Sequence, residues 1–133
     1  MDAEATIRAY YDAVRDGEPL APFFARDETT VKFGIGEQLC GYSAIERGLE
    51  RQTETTTGWR LDSRRLTVTE RDSCAWFSDE VDMAWTDDAG TRRAFRSRWS
   101  GTIEHRPDVP WDGVPPETPW RFVGMHVSAP GET

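Results

Sequence analysis

Residues 73–105, SCAWFSDEVDMAWT, DDAG and TRRAFRSRWSGTIEH in turn, decide the fold. In the first part Ala75, Phe77, Val81, Met83 and Trp85 share one parity, with Asp79 as its polar exception. In the last part Phe95, Trp99 and Ile103 share a parity, and Arg92, Arg96, Arg98 and Glu104 take the other. Period-two alternation over such lengths predicts long antiparallel strands, each with one wetter face. Asp87-Asp88-Ala89-Gly90 predicts a tight hairpin turn closed by its glycine. Outward from this hairpin, residues 60–70 and 120–128 read as two further strands. Between the last two strands, residues 107–119 hold Pro107, Pro110, Pro115, Pro116 and Pro119 together with Trp111, a long loop of the kind that often carries function.

The N-terminal half has a different period. Ile7, Tyr10, Tyr11 and Val14 line one face of a helix, with Asp2 to cap its start and Asp16-Gly17 to stop it. A second short helix is expected over 20–25, entered through Pro19, with Phe23 and Phe24 pinned to the core. Residues 29–33 form a short β-rich run ended by Gly34-Ile35-Gly36. A third helix starts near Ser43, where Ser43-Ala44-Ile45-Glu46 has the pattern of a capping box. Gly48 weakens that helix by about 1 kcal/mol against alanine, which implies close approach of another element. Helices followed by long strands mean α+β: a cone-shaped, curved antiparallel sheet packed on three N-terminal helices, enclosing an internal pocket.

Composition bounds the function. The chain of 133 residues fits one domain and can bury about two thirds of its unfolded surface. An aromatic share of 11 % argues against disorder, although 30 % of residues are charged. No apolar run approaches membrane-spanning length, and Met1-Asp2-Ala3-Glu4 lacks the start of a signal peptide, so a cytoplasmic setting without membrane contact is expected. The formal charge of -8 repels phosphate backbones and disfavours nucleic acid as a partner. Lys32 is the only lysine; the other basic residues are arginine. Such a surface suits a salt-rich cytoplasm, and high-GC codon usage gives the same bias.

Several motifs lead nowhere. Cys40 and Cys74 stand apart and read as buried small hydrophobes. His105 and His126 are too few for zinc, and no cofactor or metal is expected. Gly34-Ile35-Gly36 lacks the third glycine and the β-α-β context of a dinucleotide site, and Val31-Lys32-Phe33-Gly34 lacks the second half of a phosphate loop.

Four segments resemble one family. Ile7-Arg8-Ala9-Tyr10-Tyr11-Asp12-Ala13-Val14 with Asp16-Gly17 is similar to its first helix. Leu39-Cys40-Gly41-Tyr42-Ser43-Ala44-Ile45 resembles its lead into the third helix. Ala75-Trp76-Phe77-Ser78 resembles a recurring strand, and Trp120-Arg121-Phe122-Val123-Gly124-Met125-His126-Val127-Ser128 its closing strand. The family is the SnoaL-like branch of the nuclear transport factor 2-like superfamily, and the likeness is nearest to the subgroup with the association domain of calcium/calmodulin-dependent kinase. The resemblance implies a cone with a pocket and a homodimer formed through the sheet. The proline-rich loop departs from the family pattern. Relatives include isomerases, dehydratases, cyclases and oligomerisation modules, so the fold does not fix the activity.

Within that frame Asp79 is the acid–base candidate, since a dry pocket would raise its pKa. The alternative is a carboxylate at a bulge or strand edge, paired with Arg96 or Arg98. His126, alternating with Phe122 and Gly124, is either a second catalytic group or a satisfied structural histidine. Arg96 and Arg98 point the same way and suit either an anion clamp or a solvated or dimer-facing role. The expected pocket aromatics are Tyr11, Phe24, Tyr42, Trp59, Phe77, Trp99 and Phe122, and Tyr42 is also a candidate to polarise a carbonyl. Trp76 lies on the parity opposite Phe77, where a dimer partner would cover it. Three functions follow: a homodimer binding a small, largely apolar molecule; an isomerase, dehydratase or cyclase using Asp79 and His126; or an interaction module without a ligand.

Overall fold

The computed structural model describes residues 1–109 and 117–130, so the middle of the proline-rich loop lies outside the described residues. Helix α1 (Ala3–Asp16) begins where Asp2 accepts the Ala5 N–H at 2.8 Å and ends at Gly17, whose φ of 68° only glycine adopts cheaply. Its buried stripe contains Ile7, Tyr10, Tyr11 and Val14, the face set by the sequence period. The second helix contracts to a single 3-10 turn, Ala21–Phe23, because Pro22 cannot continue a helix interior.

Strands β1 (Val31–Gly34) and β2 (Glu37–Cys40) form a hairpin, and β2 is a strand that the sequence reading lacks. Helix α2 (Tyr42–Thr55) starts from Gly41, at φ 88°, without a side-chain cap. The expected Ser43–Glu46 box is not what starts it. Instead the Gly41 and Tyr42 amides donate to the Thr30 and Asp27 carbonyls, so the loop before β1 anchors the start of the helix. Gly48 does face a close neighbour: a Cβ there would lie 2.6 Å from a Leu39 methyl of β2.

The remaining strands are β3 (Thr57–Ser63), β4 (Thr67–Glu70), β5 (Cys74–Thr86), β6 (Arg92–His105) and β7 (Trp120–Ser128). The sheet order is β2-β1-β7-β6-β5-β3, with β4 also on β5. The β5–β6 ladder runs without a slip from Cys74↔Glu104 to Thr86↔Arg92. Its turn is held by Asp87, which accepts the Ala89 and Thr91 amides. The expected single strand over 60–70 is broken in two, and both pieces pair with β5. The sheet is mixed rather than wholly antiparallel, since β1 runs parallel to β7.

The core lies between α1 and the inner face of the sheet. The Tyr10 ring meets Phe23, Phe24, Trp99 and Phe122 edge-on, at centroid separations of 5.4, 5.8, 6.4 and 5.2 Å. Both cysteines differ from expectation. Cys40 is exposed on the edge strand β2 and Cys74 half-buried, because each sits on an outward parity. Among the described residues no helix is long and apolar enough to cross a membrane.

Candidate functional site

Between α1, α2, the β1–β2 hairpin and the inner face of the sheet lies a cavity of about 270 Å³. Trp59, Trp85, Trp99, Met83 and Val127 come from the sheet, Tyr10 and Val14 from α1, Gly48, Arg51, Gln52 and Thr55 from α2, and Thr56 from its C-terminal cap. Trp59 stacks on Trp85 with centroids 4.7 Å apart, and Trp85 on Phe95 at 5.4 Å, giving a flat aromatic wall. The Trp59 indole N–H is already bonded to the Thr56 hydroxyl, so that wall is fixed in place.

The other wall is charged. Lys32 points inward from β1, is 6 % exposed, and lies 2.5 Å from the Glu37 carboxylate. Both residues line the cavity. Lys32 is the buried member and Glu37 the half-buried one, and the carboxylate offsets the cost of holding the ammonium away from water. Tyr10 also lines this space, and among the described residues its hydroxyl makes no hydrogen bond. Burial, reinforced by the Glu37 charge, pushes the Tyr10 phenol far above its ordinary range, so it remains a donor.

Asp79 is buried on the inner parity, at 4 % exposure, as its neighbours imply. It does not line the cavity. Its Oδ2 accepts from the Tyr11 hydroxyl at 2.9 Å and the Ser63 hydroxyl at 2.6 Å, and its Oδ1 from the Arg65 amide at 2.9 Å. Asp79 faces the break between β3 and β4, and hydroxyls and an amide, rather than Arg96 or Arg98, are its partners.

His126 stands on the other side of the sheet. Register pairs Asp79 with Trp99 and Trp99 with Val127, which puts Val127 on the inner face and its neighbour His126 outside. The expectation that His126 shares a half-buried face with Phe122 is corrected by a bulge. Thr102 pairs with Gly124 and Ile103 with Phe122, so Val123 is the extra residue and parity flips there. His126 is exposed and packs edge-on with Phe33. Asp79 and His126 therefore do not meet in one space.

Of the expected pocket aromatics, Trp59 and Trp99 line the cavity. Tyr11, Phe24, Phe77 and Phe122 are core filling. Tyr42 opens α2 toward a separate groove, with the Arg26 guanidinium 5.7 Å from its ring centroid. His105 is half-buried against Trp120. Arg96 and Arg98 lie on the outer face. The sequence reading missed Lys32 and Glu37. Their signal was a lone lysine between Val31 and Phe33 in a β-rich run.

A curved sheet closed by two helices over a largely apolar cavity with one ionic wall defines a pocket-bearing α+β cone. Residues 3–132 match the SnoaL-like domain, and the chain belongs to that family, as the four segments implied. No curated protein matches it. Among solved structures it is similar to a nuclear transport factor 2-like superfamily protein from Salmonella enterica, with 18 % identity, 97 % of this chain and 89 % of that one covered, and a TM-score of 0.77. A candidate calcium/calmodulin dependent protein kinase II association domain from Xanthomonas campestris has 21 % identity, covers 98 % of this chain and 86 % of its own, and scores 0.72. A ketosteroid isomerase-like protein from Erwinia carotovora has 13 % identity, covers 95 % and 92 %, and scores 0.72. At these identities the likeness is one of fold.

Proposed function

We propose that this chain binds a small, largely apolar molecule in the cavity between α1, α2 and the sheet. The observation that carries the reading is the stacked Trp59–Trp85 wall facing open volume that Tyr10 also lines. Apolar walls with a few convergent polar groups are what small-ligand sites present. The open volume weighs against an interaction module whose pocket is filled by its own side chains. Chemistry by Asp79 with His126 is disfavoured, because the three donors around Asp79 occupy its oxygens and the sheet stands between the two residues.

We also propose that two copies pair through the outer face of the sheet. There Arg96 and Arg98 lie opposite Asp82 and Glu80 in the β5–β6 register. Neither arginine makes an ion pair within its own chain among the described residues.

The test of the pocket is calorimetry with 2-naphthalenemethanol as probe. At about ten times its Kd the probe adds ~1.4 kcal/mol of stability. That corresponds to a rise in Tm of roughly 4 °C for a domain of this size. Val127→Phe, which occupies part of the cavity, should abolish the rise. An unchanged Tm up to the solubility limit of the probe would sink the proposal.

A further inference from the structure

We infer that Lys32 is a carbonyl-capturing amine, condensing reversibly with an aldehyde or ketone group on the molecule that the cavity holds. This rests on the pocket reading above and adds to it the ligand's reactive group. Lys32 is the only lysine of the sequence, and its amine sits in a cavity wall rather than on the surface. The surface of this chain uses arginine for positive charge, and arginine cannot serve as a nucleophile. An amine that faces an aromatic wall across a cavity, with a carboxylate beside it to carry its protons, has what imine formation needs.

Three features of the site suit the step. The Glu37 carboxylate is already bonded to the amine, 2.5 Å away, and is placed to take its proton. The Tyr10 hydroxyl is an uncommitted donor in the same cavity and can orient a carbonyl oxygen. The flat Trp59–Trp85 wall suits the body of a ring-bearing carbonyl compound.

The step balances within these groups. Glu37 takes a proton from the ammonium, and the freed Nζ pair attacks the carbonyl carbon as the C=O π pair moves to oxygen. Glu37 returns that proton to the oxygen. A second proton leaves nitrogen by the same route, and the oxygen departs as water while nitrogen closes the C=N bond. Ammonium plus carbonyl becomes iminium plus water. The positive charge is conserved, so the ion pair with Glu37 survives the reaction and does not oppose it.

The experiment uses 2-naphthaldehyde with sodium cyanoborohydride, which fixes the iminium as a secondary amine, followed by peptide mapping by mass spectrometry. Only Lys32 and the α-amine of the chain can be labelled. The expected result is an adduct on Lys32 of the folded chain, formed about tenfold faster than in urea-unfolded chain, because the cavity positions the two reactants. Excess 2-naphthalenemethanol should suppress it while leaving the α-amine adduct unchanged. Glu37→Gln should slow Lys32 labelling about tenfold, since the proton route is lost. The competition in the unmodified chain stands even if that variant does not fold. Labelling confined to the α-amine, or Lys32 labelling no faster than in urea, overturns the inference. If 2-naphthalenemethanol still raises Tm in that case, the pocket reading survives; if it does not, both fall.

Discussion

Tyr11 donates its hydroxyl to Asp79 at 2.9 Å, joining α1 to the point where β3 gives way to β4. The same carboxylate takes the Ser63 hydroxyl at the end of β3 and the Arg65 amide in the link. One buried anion thus fixes a helix and a strand break against β5. Asp79→Asn keeps the shape but replaces one acceptor oxygen by a donor. It should destabilise the chain by about 2 kcal/mol, the cost of leaving a buried donor unmet. Urea unfolding checks this. A variant as stable as the parent would mean that Asp79 does not organise the break.

Alkaline stability follows from two tyrosines. Burial raises the Tyr11 pKa, with the Asp79 charge and hydrogen bond adding to it; burial and then the Glu37 charge raise that of Tyr10. Both therefore keep their protons in the folded chain beyond the ordinary value of 10.0. A group with a raised folded pKa contributes stability in full below its unfolded pKa and loses it as pH climbs toward the folded value. Above pH ~10 these two should lower stability by about 2.7 kcal/mol per pH unit, and Tyr10→Phe should halve that slope. Urea midpoints at pH 9, 10 and 11 give the measurement, and a flat profile would contradict it.

Legibility followed the reach of the signal: local periodicity could be read, and features set by distant partners or by a bulge could not. Where period two continues without interruption, as in β5 and β6, the inward set is legible: Phe77, Asp79, Val81, Trp99 and Ile103 are all buried. The α1 stripe and its Asp2 and Gly17 ends are local signals and were equally clear. The bulge at Val123 has no local signature, and it inverts the facing of everything that follows, which moved His126 from inside to outside. Lys32 was missed for another reason. Its burial depends on Glu37 across the hairpin and on β7, which pairs with it from 93 residues further along at Met125. Nothing local to Lys32 marks it as buried; its tertiary partners place it within.

Gly101 should not tolerate a side chain. It faces Phe77 on one neighbouring strand and Met125 on the other. A Cβ there would meet the Gly124 carbonyl oxygen and come within 2.8 Å of the Phe77 ring and 3.3 Å of the Met125 Cα. Backbone lies on that side, so no side-chain rotation relieves the clash. Gly101→Ala should cost about 3 kcal/mol, the upper part of the range for overpacked interiors. Phe77→Leu in the same chain should return part of it by making room. If Gly101→Ala melts with the parent, the close approach of β6 and β7 is not as described.

Charge reversal tests the pairing of two copies. On the outer face Asp82 is bonded to Arg64 at 2.8 Å and Glu80 lies 3.6 Å from Arg65, while Arg96 and Arg98 stand across the ladder from them. A two-fold axis through this face sets each copy's arginines against the other's carboxylates, since an isologous interface presents the same patch twice. Trp76, 46 % exposed beside Arg71, supplies apolar area on the same outward parity. Arg96→Glu with Arg98→Glu should give a monomer in sedimentation at concentrations where the parent sediments as a dimer. Adding Glu80→Arg and Asp82→Arg should restore the dimer, because the pattern is then inverted as a whole. Each exposed pair within one chain is worth less than about 1 kcal/mol, so the monomers should keep the parent fold by circular dichroism. A parent that sediments as a monomer, or a reversed pair that still dimerises, would place the contact between copies elsewhere.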